Sequence, residues 1–139
     1  MRVVIDTNCL LVSIPKISDS RWLFDALLEG TLELGLTTDI LTEYEEVIGA
    51  FYGSPVLAAN VVKTLLNRPN TIQVSPFYFW YLIQEDTDDN KFVDCAVCCN
   101  ADYLITENGH FRVLDDVIFP KIRRVTREEF KRVFLNNRR

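Results

Sequence analysis

The segment Val3-Val4-Ile5 constrains the fold most strongly, because it is an apolar run without polar alternation that ends directly at Asp6. Such a run is typical of a strand buried on both faces, at the centre of a parallel α/β sheet. Ligands of these sheets bind just beyond the carboxyl ends of the strands, where Asp6 lies. A buried carboxylate there requires a compensating charge, usually a cation. The alternative is that Asp6 only caps the following turn or helix.

A second strand ends in the same way. The run Tyr103-Leu104-Ile105-Thr106 is rich in β-forming residues and is followed by Glu107, Asn108 and Gly109. Because the carboxyl ends of parallel strands meet at one edge of a sheet, the two polar ends are expected to converge on one crevice.

Strand and helix patterns alternate along the chain. Hydrophobic periodicity predicts strands at 2–6, 32–36, 71–74, 103–106 and near 122–125, and helices at about 19–29, 39–52, 56–67, 90–100 and 127–136. This order predicts a three-layer α/β sandwich with a central parallel sheet, formed by a single domain over residues 1–139. Neither a G-x-G-x-x-G sequence after the first strand nor a Walker lysine motif is present, which argues against dinucleotide and nucleoside-triphosphate binding.

Length and composition are those of a folded domain that needs no covalent staples. The chain has 139 residues, 48% of them hydrophobic, enough for a substantial core. No apolar stretch approaches the roughly 20 residues that span a bilayer, and the sequence starts with a strand instead of a signal peptide, so we expect no membrane association and a cytoplasmic location. Cys95-x-x-Cys98 has zinc-ligand spacing, but a second pair is missing, and reduced core thiols are favoured for all four cysteines.

Charge is distributed unevenly. The net charge is −5, yet residues 121–139 contain eight basic and two acidic side chains, a local charge of +6. This split predicts a basic rim beside an acidic site, with Arg127, Lys131 and Arg132 as candidate phosphate contacts. A solvated helix face with a frayed tail is an equal alternative for any one of them.

Two helices carry acids that face the sheet. In the helix 39–52, Glu43 and Glu45 lie at opposite edges of the apolar stripe, and Glu43 is favoured because it lies in the first turn. Asp89 lies three residues before Phe92, on the inward face of the next acidic helix. Asp88 is predicted to cap that helix and Asp94 to point away from the sheet.

Two further features admit two interpretations each. The aromatic run Phe77–Ile83 favours a core or subunit contact over base stacking. His110, the only histidine, is either a proton shuttle or incidental.

Taken together, these motifs resemble the PIN-domain ribonucleases. The resemblance is carried by V-I-D-T-N at residues 4–8, Glu43, D-D-N-K-F at 88–92 with Ala96, and A-D-Y-L-I-T at 101–106, and within the family it is to VapC-like toxins of bacterial toxin–antitoxin pairs. It implies a Rossmann-like sheet, often in a homodimer, and a pocket that binds Mg²⁺ or Mn²⁺ and cleaves RNA. An antitoxin protein is then the expected partner.

Carried over by position, the resemblance implies that Asp6, Glu43 and Asp89 are the metal ligands. Asn108 stands where the family often has a fourth acid, and Glu107 can substitute only if its loop turns inward. We expect Thr7, Asn8 and Thr106 to contact substrate together with the basic residues.

Two other functions compete with this one. A phosphatase of the haloacid-dehalogenase type requires a second acid at position 8, which is Asn8. A PIN-like module that binds nucleic acid or protein without cleaving is the second alternative, and Asn108 is its main support.

Overall fold

The computed structural model describes residues 1–137 as a parallel sheet flanked by helices. The strands are β1 (Arg2–Ile5), β2 (Glu33–Leu36), β3 (Thr71–Gln73), β4 (Tyr103–Ile105) and β5 (Arg124–Val125). The helices are α1 (Thr7–Ser13), α2 (Arg21–Glu29), α3 (Thr38–Tyr52), α4 (Pro55–Leu66), α5 (Asn90–Cys98) and α6 (Arg127–Asn137), with 3₁₀ turns at Thr87–Asp89 and Gly109–Asp116.

The sheet order is β3-β2-β1-β4-β5, and each neighbouring pair is parallel. This confirms the predicted α/β sandwich with a central parallel sheet. β1 is central, and Val3, Val4 and Ile5 are fully buried, as the absence of polar alternation predicted. Ile5 pairs with Ile105 of β4, so the residues that follow these two strands start from the same level of the sheet.

Helices α3 and α4 form a hairpin whose boundaries follow from capping chemistry. The Thr37 side chain accepts a hydrogen bond from the Ile40 N–H at the start of α3, and Gly53 ends that helix in the left-handed conformation. Ser54 then caps α4, with Pro55 at its first position.

Two helical segments were not predicted. The α1 helix has Thr7, Cys9, Leu10, Leu11 and Ser13 buried, so almost all of it faces the protein interior. A helix without a polar face has no amphipathic period to detect. The 3₁₀ turns over Gly109–Asp116 bury only Phe111 and Leu114, three residues apart.

One hydrophobic core connects the sheet to both helical layers and includes Phe130 and Phe134 of α6. Cys9, Cys95 and Cys99 are buried in it and Cys98 is exposed, so core thiols are confirmed for three of the four cysteines. Cys99 packs against the backbone of Gly35, where an added Cβ would lie 2.6 Å from its Sγ. That close approach requires glycine in β2. Within residues 1–137, no helix is long and apolar enough to cross a bilayer.

Candidate active site

Asp6 is fixed in a buried position where β1 ends. Its backbone N–H donates to the Ile105 carbonyl at 2.9 Å, and its carboxylate accepts a 2.8 Å hydrogen bond from the Thr106 hydroxyl. The residue is 6% exposed. Asp6 immediately precedes α1, yet its side chain makes no capping hydrogen bond. The capping interpretation is therefore wrong, and the carboxylate is directed to the end of β4.

Glu43 is brought to the same edge by its neighbour in α3. The fully buried Tyr44 donates its hydroxyl to the Ile5 carbonyl oxygen, which ties α3 to the end of β1. The Glu43 carboxylate accepts a hydrogen bond from the Thr7 hydroxyl and forms an ion pair with Lys91, whose Nζ lies 2.6 Å away. Glu45 and Glu46 are exposed. The structure thus selects Glu43 among the three.

Asp89 lies at the junction of the 3₁₀ turn and α5. Its Oδ2 accepts a 3.3 Å hydrogen bond from the Asn108 side-chain amide and lies 3.4 Å from Nδ1 of His110. The predicted capping role of Asp88 is wrong. Asp86 accepts the backbone hydrogen bond instead, from the N–H of Asp88, because the turn before α5 begins two residues earlier than expected.

The three acids interact electrostatically. Burial raises the pKa of Asp6, the Thr106 hydrogen bond opposes that rise, and the negative charges of Asp89 and Glu43 add to it. Burial also raises the pKa of Asp89, with contributions from Asp86 and Glu43, while His110 opposes it. A nearby cation would therefore stabilise the charged forms of Asp6 and Asp89.

Lys91 supplies one such cation. Its Nζ lies 2.6 Å from Glu43 and 2.7 Å from Asp88. Burial lowers the pKa of Lys91, but its hydrogen bonds to Asp88 and Glu43 outweigh burial and raise it overall. The ammonium group stays charged and neutralises the Glu43 side of the cluster. Sequence reasoning missed this role, although the lysine adjoins the acidic motif.

The donor set suits a divalent metal. Carboxylate oxygens are the ligands that Mg²⁺ and Mn²⁺ prefer, and Asp6, Glu43 and Asp89 provide such oxygens. A bound cation would lower the raised pKa values of Asp6 and Asp89. Within residues 1–137, the ligand atoms that lie within 4.8 Å of one another belong to Asp86, Asp89 and His110. Of the three predicted ligands, only Asp89 belongs to this group, and Asp6 and Glu43 are related to it through the electrostatic interactions described above.

The neighbouring polar side chains hold the acidic site in place. Thr7 and Thr106 are 4% and 1% exposed and donate their hydroxyls to carboxylates, and their contact with a substrate stays a prediction. Asn8 is exposed. Glu107 does not turn inward, because its carboxylate accepts from the backbone N–H of Arg127 at 2.9 Å. Asn108 therefore contributes an amide to the site, as expected, and Glu107 does not replace the missing fourth acid.

The basic residues of α6 lie close to this edge, and each has an intramolecular partner. Arg127 donates to Ser20 at 2.7 Å and pairs with Glu107 at 3.8 Å. Lys131 lies over the Trp22 ring at 6.0 Å. Arg132 pairs with Glu128 at 3.5 Å. Together they border an open cavity of about 690 Å³. Arg138 and Arg139 lie outside the described residues.

Asp94, which is predicted to point away from the sheet, is buried against an irregular segment instead of facing solvent. Asp94 is 5% exposed, and its carboxylate accepts a 3.0 Å hydrogen bond from the backbone N–H of Trp80. Its neighbour on α5, Asn90, binds the backbone N–H and carbonyl of Ile83 at 2.9 and 2.8 Å. Trp80 and Ile83 lie in an irregular segment, so helical periodicity could not predict these contacts. Asp94 and Asn90 thereby fasten residues 80–83 to α5.

A carboxylate cluster at the carboxyl edge of a five-stranded parallel sheet defines a Rossmann-like protein with a metal-competent acidic site. The chain belongs to the PIN-domain family, whose profile matches residues 2–110. The matched region contains Asp6, Glu43, Asp89, Asn108 and His110. It stops before α6, so the basic helix lies outside the part that the family profile matches.

A solved structure has the same fold. The chain is similar to one in the crystal structure of VapBC2 from Rickettsia felis bound to a DNA fragment from their promoter, with a TM-score of 0.62 and 20% identity. The similarity covers 91% of this chain and 98% of that one. No curated protein matches the chain. The resemblance to the PIN-domain family is therefore confirmed, and the VapBC2 structure shows the same fold.

Proposed function

We propose that the protein is a metal-dependent endoribonuclease. The observation that carries this proposal is the placement of three carboxylates at one sheet edge, each bound by a hydroxyl or amide side chain: Asp6 by Thr106, Glu43 by Thr7 and Asp89 by Asn108. The negative charges of Asp89 and Glu43 also raise the pKa of the buried Asp6. Acids held together against their own repulsion are typical of a metal site. The PIN domain supports nuclease chemistry on that metal.

Each residue of the site has a distinct role in this proposal. Asp6, Glu43 and Asp89 would hold Mg²⁺ or Mn²⁺, and a bound ion of this type supplies an activated water and neutralises charge on the phosphate. Thr106 and Thr7 orient two of the carboxylates through their hydroxyls. Asn108 orients the third through its amide. The family membership supports RNA as the substrate.

We further propose that the nuclease is the toxin of a toxin–antitoxin pair. The support is the shared fold with VapBC2, and an antitoxin protein and a homodimer are the corresponding partners. The unpaired state of all four cysteines favours a reducing compartment such as the cytoplasm. A small DNA-binding protein encoded beside the gene would support the pairing.

A PIN-like module that binds without cleaving is the second candidate. Asn108 in place of a fourth acid and the Lys91 ion pair with Glu43 both favour it. An amide and an ammonium group each reduce the negative charge available to a metal.

Cleavage of a mixed RNA pool with Mn²⁺ or with chelator tests the proposal. Wild type should cleave with Mn²⁺ only, and Asp6→Asn and Asp89→Asn should each lose at least about 100-fold in rate, since loss of even an outer-shell partner costs roughly 10–100-fold. Glu45→Gln is the matched control, an exposed acid on the same helix as Glu43. Binding of RNA by wild type without metal-dependent cleavage would favour the non-cleaving module.

A further inference from the structure

An open cavity of about 580 Å³ adjoins the acidic site at Glu43 and is lined by two chemically different sets of residues. The charged set contains Glu43, Lys91 and Asp88, which are linked by the ion pairs of Lys91, and also the carboxylates of Asp39, Glu46 and Asp94. The second set contains the aromatic rings of Phe79 and Tyr81. The volume lies within the roughly 300–1,000 Å³ typical of small-ligand sites. Charged groups and flat apolar rings thus face one space.

These rings are not part of the core. Phe79 is 53% and Tyr81 is 70% exposed, which contradicts a core function for this part of the aromatic run. Alternate residues of the segment behave differently. Tyr78 contacts Trp80 at a centroid distance of 4.5 Å, and Trp80 contacts Phe119 at 5.7 Å. Tyr78 and Trp80 thus pack on each other, whereas Phe79 and Tyr81, whose ring centroids lie 6.5 Å apart, border the cavity.

The segment is held in place at a cost in backbone strain. Tyr81 has a φ of 52°, in the left-handed region that aromatic residues rarely adopt. The adjacent Trp80 N–H is bound by Asp94, and Ile83 is bound twice by Asn90. Both anchors belong to α5, which also carries Lys91. Strained residues that the surroundings hold fixed are concentrated at functional sites.

We infer that Phe79 and Tyr81 stack on an unpaired base of the RNA substrate, beside the phosphate that is cleaved. This inference rests on the proposed ribonuclease function. A nucleotide matches both sets of lining residues, because its base is flat and apolar like the rings and its phosphate is an anion that Lys91 can attract. An apolar protein surface would instead remove the exposed carboxylates of Asp39 and Glu46, which also line the cavity, from water at an uncompensated cost. The RNA is therefore single-stranded at this position.

Fluorescence of 2-aminopurine in a short single-stranded RNA measures the stacking in chelator, where cleavage is absent. Wild type should quench the fluorescence. Phe79→Leu and Tyr81→Leu should each weaken binding roughly 5- to 160-fold, the range expected when a stacking ring is removed. Tyr81→Phe should bind like wild type. Phe77→Leu is the matched control, because Phe77 is 98% exposed in the same segment but does not line the cavity.

A second RNA with an abasic site in place of 2-aminopurine separates stacking from other effects. Wild type should bind it as weakly as the leucine variants do, and the leucine variants should lose nothing further. Unchanged affinity of Phe79→Leu and Tyr81→Leu, or equal binding of both RNAs by wild type, would overturn the inference. It would also be overturned if these variants altered only self-association in sedimentation velocity, because the rings would then form a protein contact.

The outcome is independent of the test of the proposed function. A wild-type protein that cleaves RNA with Mn²⁺, with an unchanged KM in both leucine variants, contradicts the stacking inference alone. A wild-type protein without metal-dependent cleavage contradicts the ribonuclease proposal, whatever the fluorescence shows.

Discussion

The carboxylate edge and the aromatic segment are both attached to α5, but they are built in opposite ways. At the amino end of α5, the Asp89 carboxylate is held by the side-chain amide of Asn108. Farther along the helix, the buried Asp94 holds a loop whose rings remain exposed, through the backbone N–H of Trp80. One short helix therefore positions one ligand of the proposed metal site and also anchors the proposed base-stacking segment.

Among the tests of this comparison, we expect the largest change in metal dependence when the hydroxyl that binds Asp6 is removed. Thr106→Val removes the hydrogen bond to the Asp6 carboxylate while keeping the shape of the side chain. Outer-shell partners of this kind contribute roughly 10–100-fold to metal affinity or activity, so we expect the Mn²⁺ concentration for half-maximal cleavage to rise by that factor. Thr64→Val, an exposed hydroxyl on α4 bonded to a backbone carbonyl, is the control. Equal metal dependence of both variants would show that Thr106 does not position a ligand.

The second test removes the metal. Because Asp89 and Glu43 repel the buried Asp6, Asp6→Asn should raise the melting temperature measured in chelator. Mn²⁺ at about 100 times its Kd should stabilise wild type by about 2.7 kcal/mol and the variant much less. Both proteins are melted with chelator and with millimolar Mn²⁺. The same metal-induced shift in both would mean that Asp6 does not hold the metal.

The third test addresses the anchor of the aromatic segment. Asp94→Ala leaves the Trp80 N–H without its partner, which should reduce the free energy of unfolding by about 1–3 kcal/mol. Asp94→Asn keeps an oxygen acceptor and should be nearly silent for cleavage. Burial raises the pKa of Asp94, so its charge opposes folding as pH rises above the ordinary aspartate range. The melting temperature of Asp94→Asn relative to wild type should therefore be higher at pH 7 than near pH 4. A reversed order would mean that the carboxylate charge stabilises the fold.

The sheet and the acids could be predicted because their signals are local and periodic. The uninterrupted apolar run at Val3–Ile5 and the inward face of the helix at Phe92 each predict burial directly. They also place Asp6 and Asp89 next to buried residues. The order β3-β2-β1-β4-β5 then brings these positions to one edge.

Some side-chain roles could not be predicted, because they depend on contacts between segments that are far apart in the sequence or that have no hydrophobic periodicity. The partner of Asp94 is the backbone of an irregular segment, which no hydrophobic pattern reveals. Lys91 is next to Asn90 in the sequence, but its role depends on Glu43, which is contributed by a different helix. The sequence predicts that Thr7 and Thr106 lie at the carboxyl edge of the sheet. It does not predict that their hydroxyls donate to Glu43 and Asp6, because those carboxylates come from other segments.

The smallest expected effect concerns α6, which is not attached to α5 and lies outside the family match. Lys131 and Arg132 are exposed, and their partners are a ring and a surface carboxylate, so either cation can be released to a phosphate at little cost. Replacing both with glutamine should lower the slope of log affinity against log salt by about 0.7 per lost contact for single-stranded RNA. Cleavage at saturating RNA should change less than binding does. Lys16→Gln with Lys63→Gln, two exposed lysines elsewhere on the surface, gives a control of equal net charge. If both double variants flatten the slope equally, α6 contributes only overall charge, and RNA binding is confined to the surfaces that α5 positions.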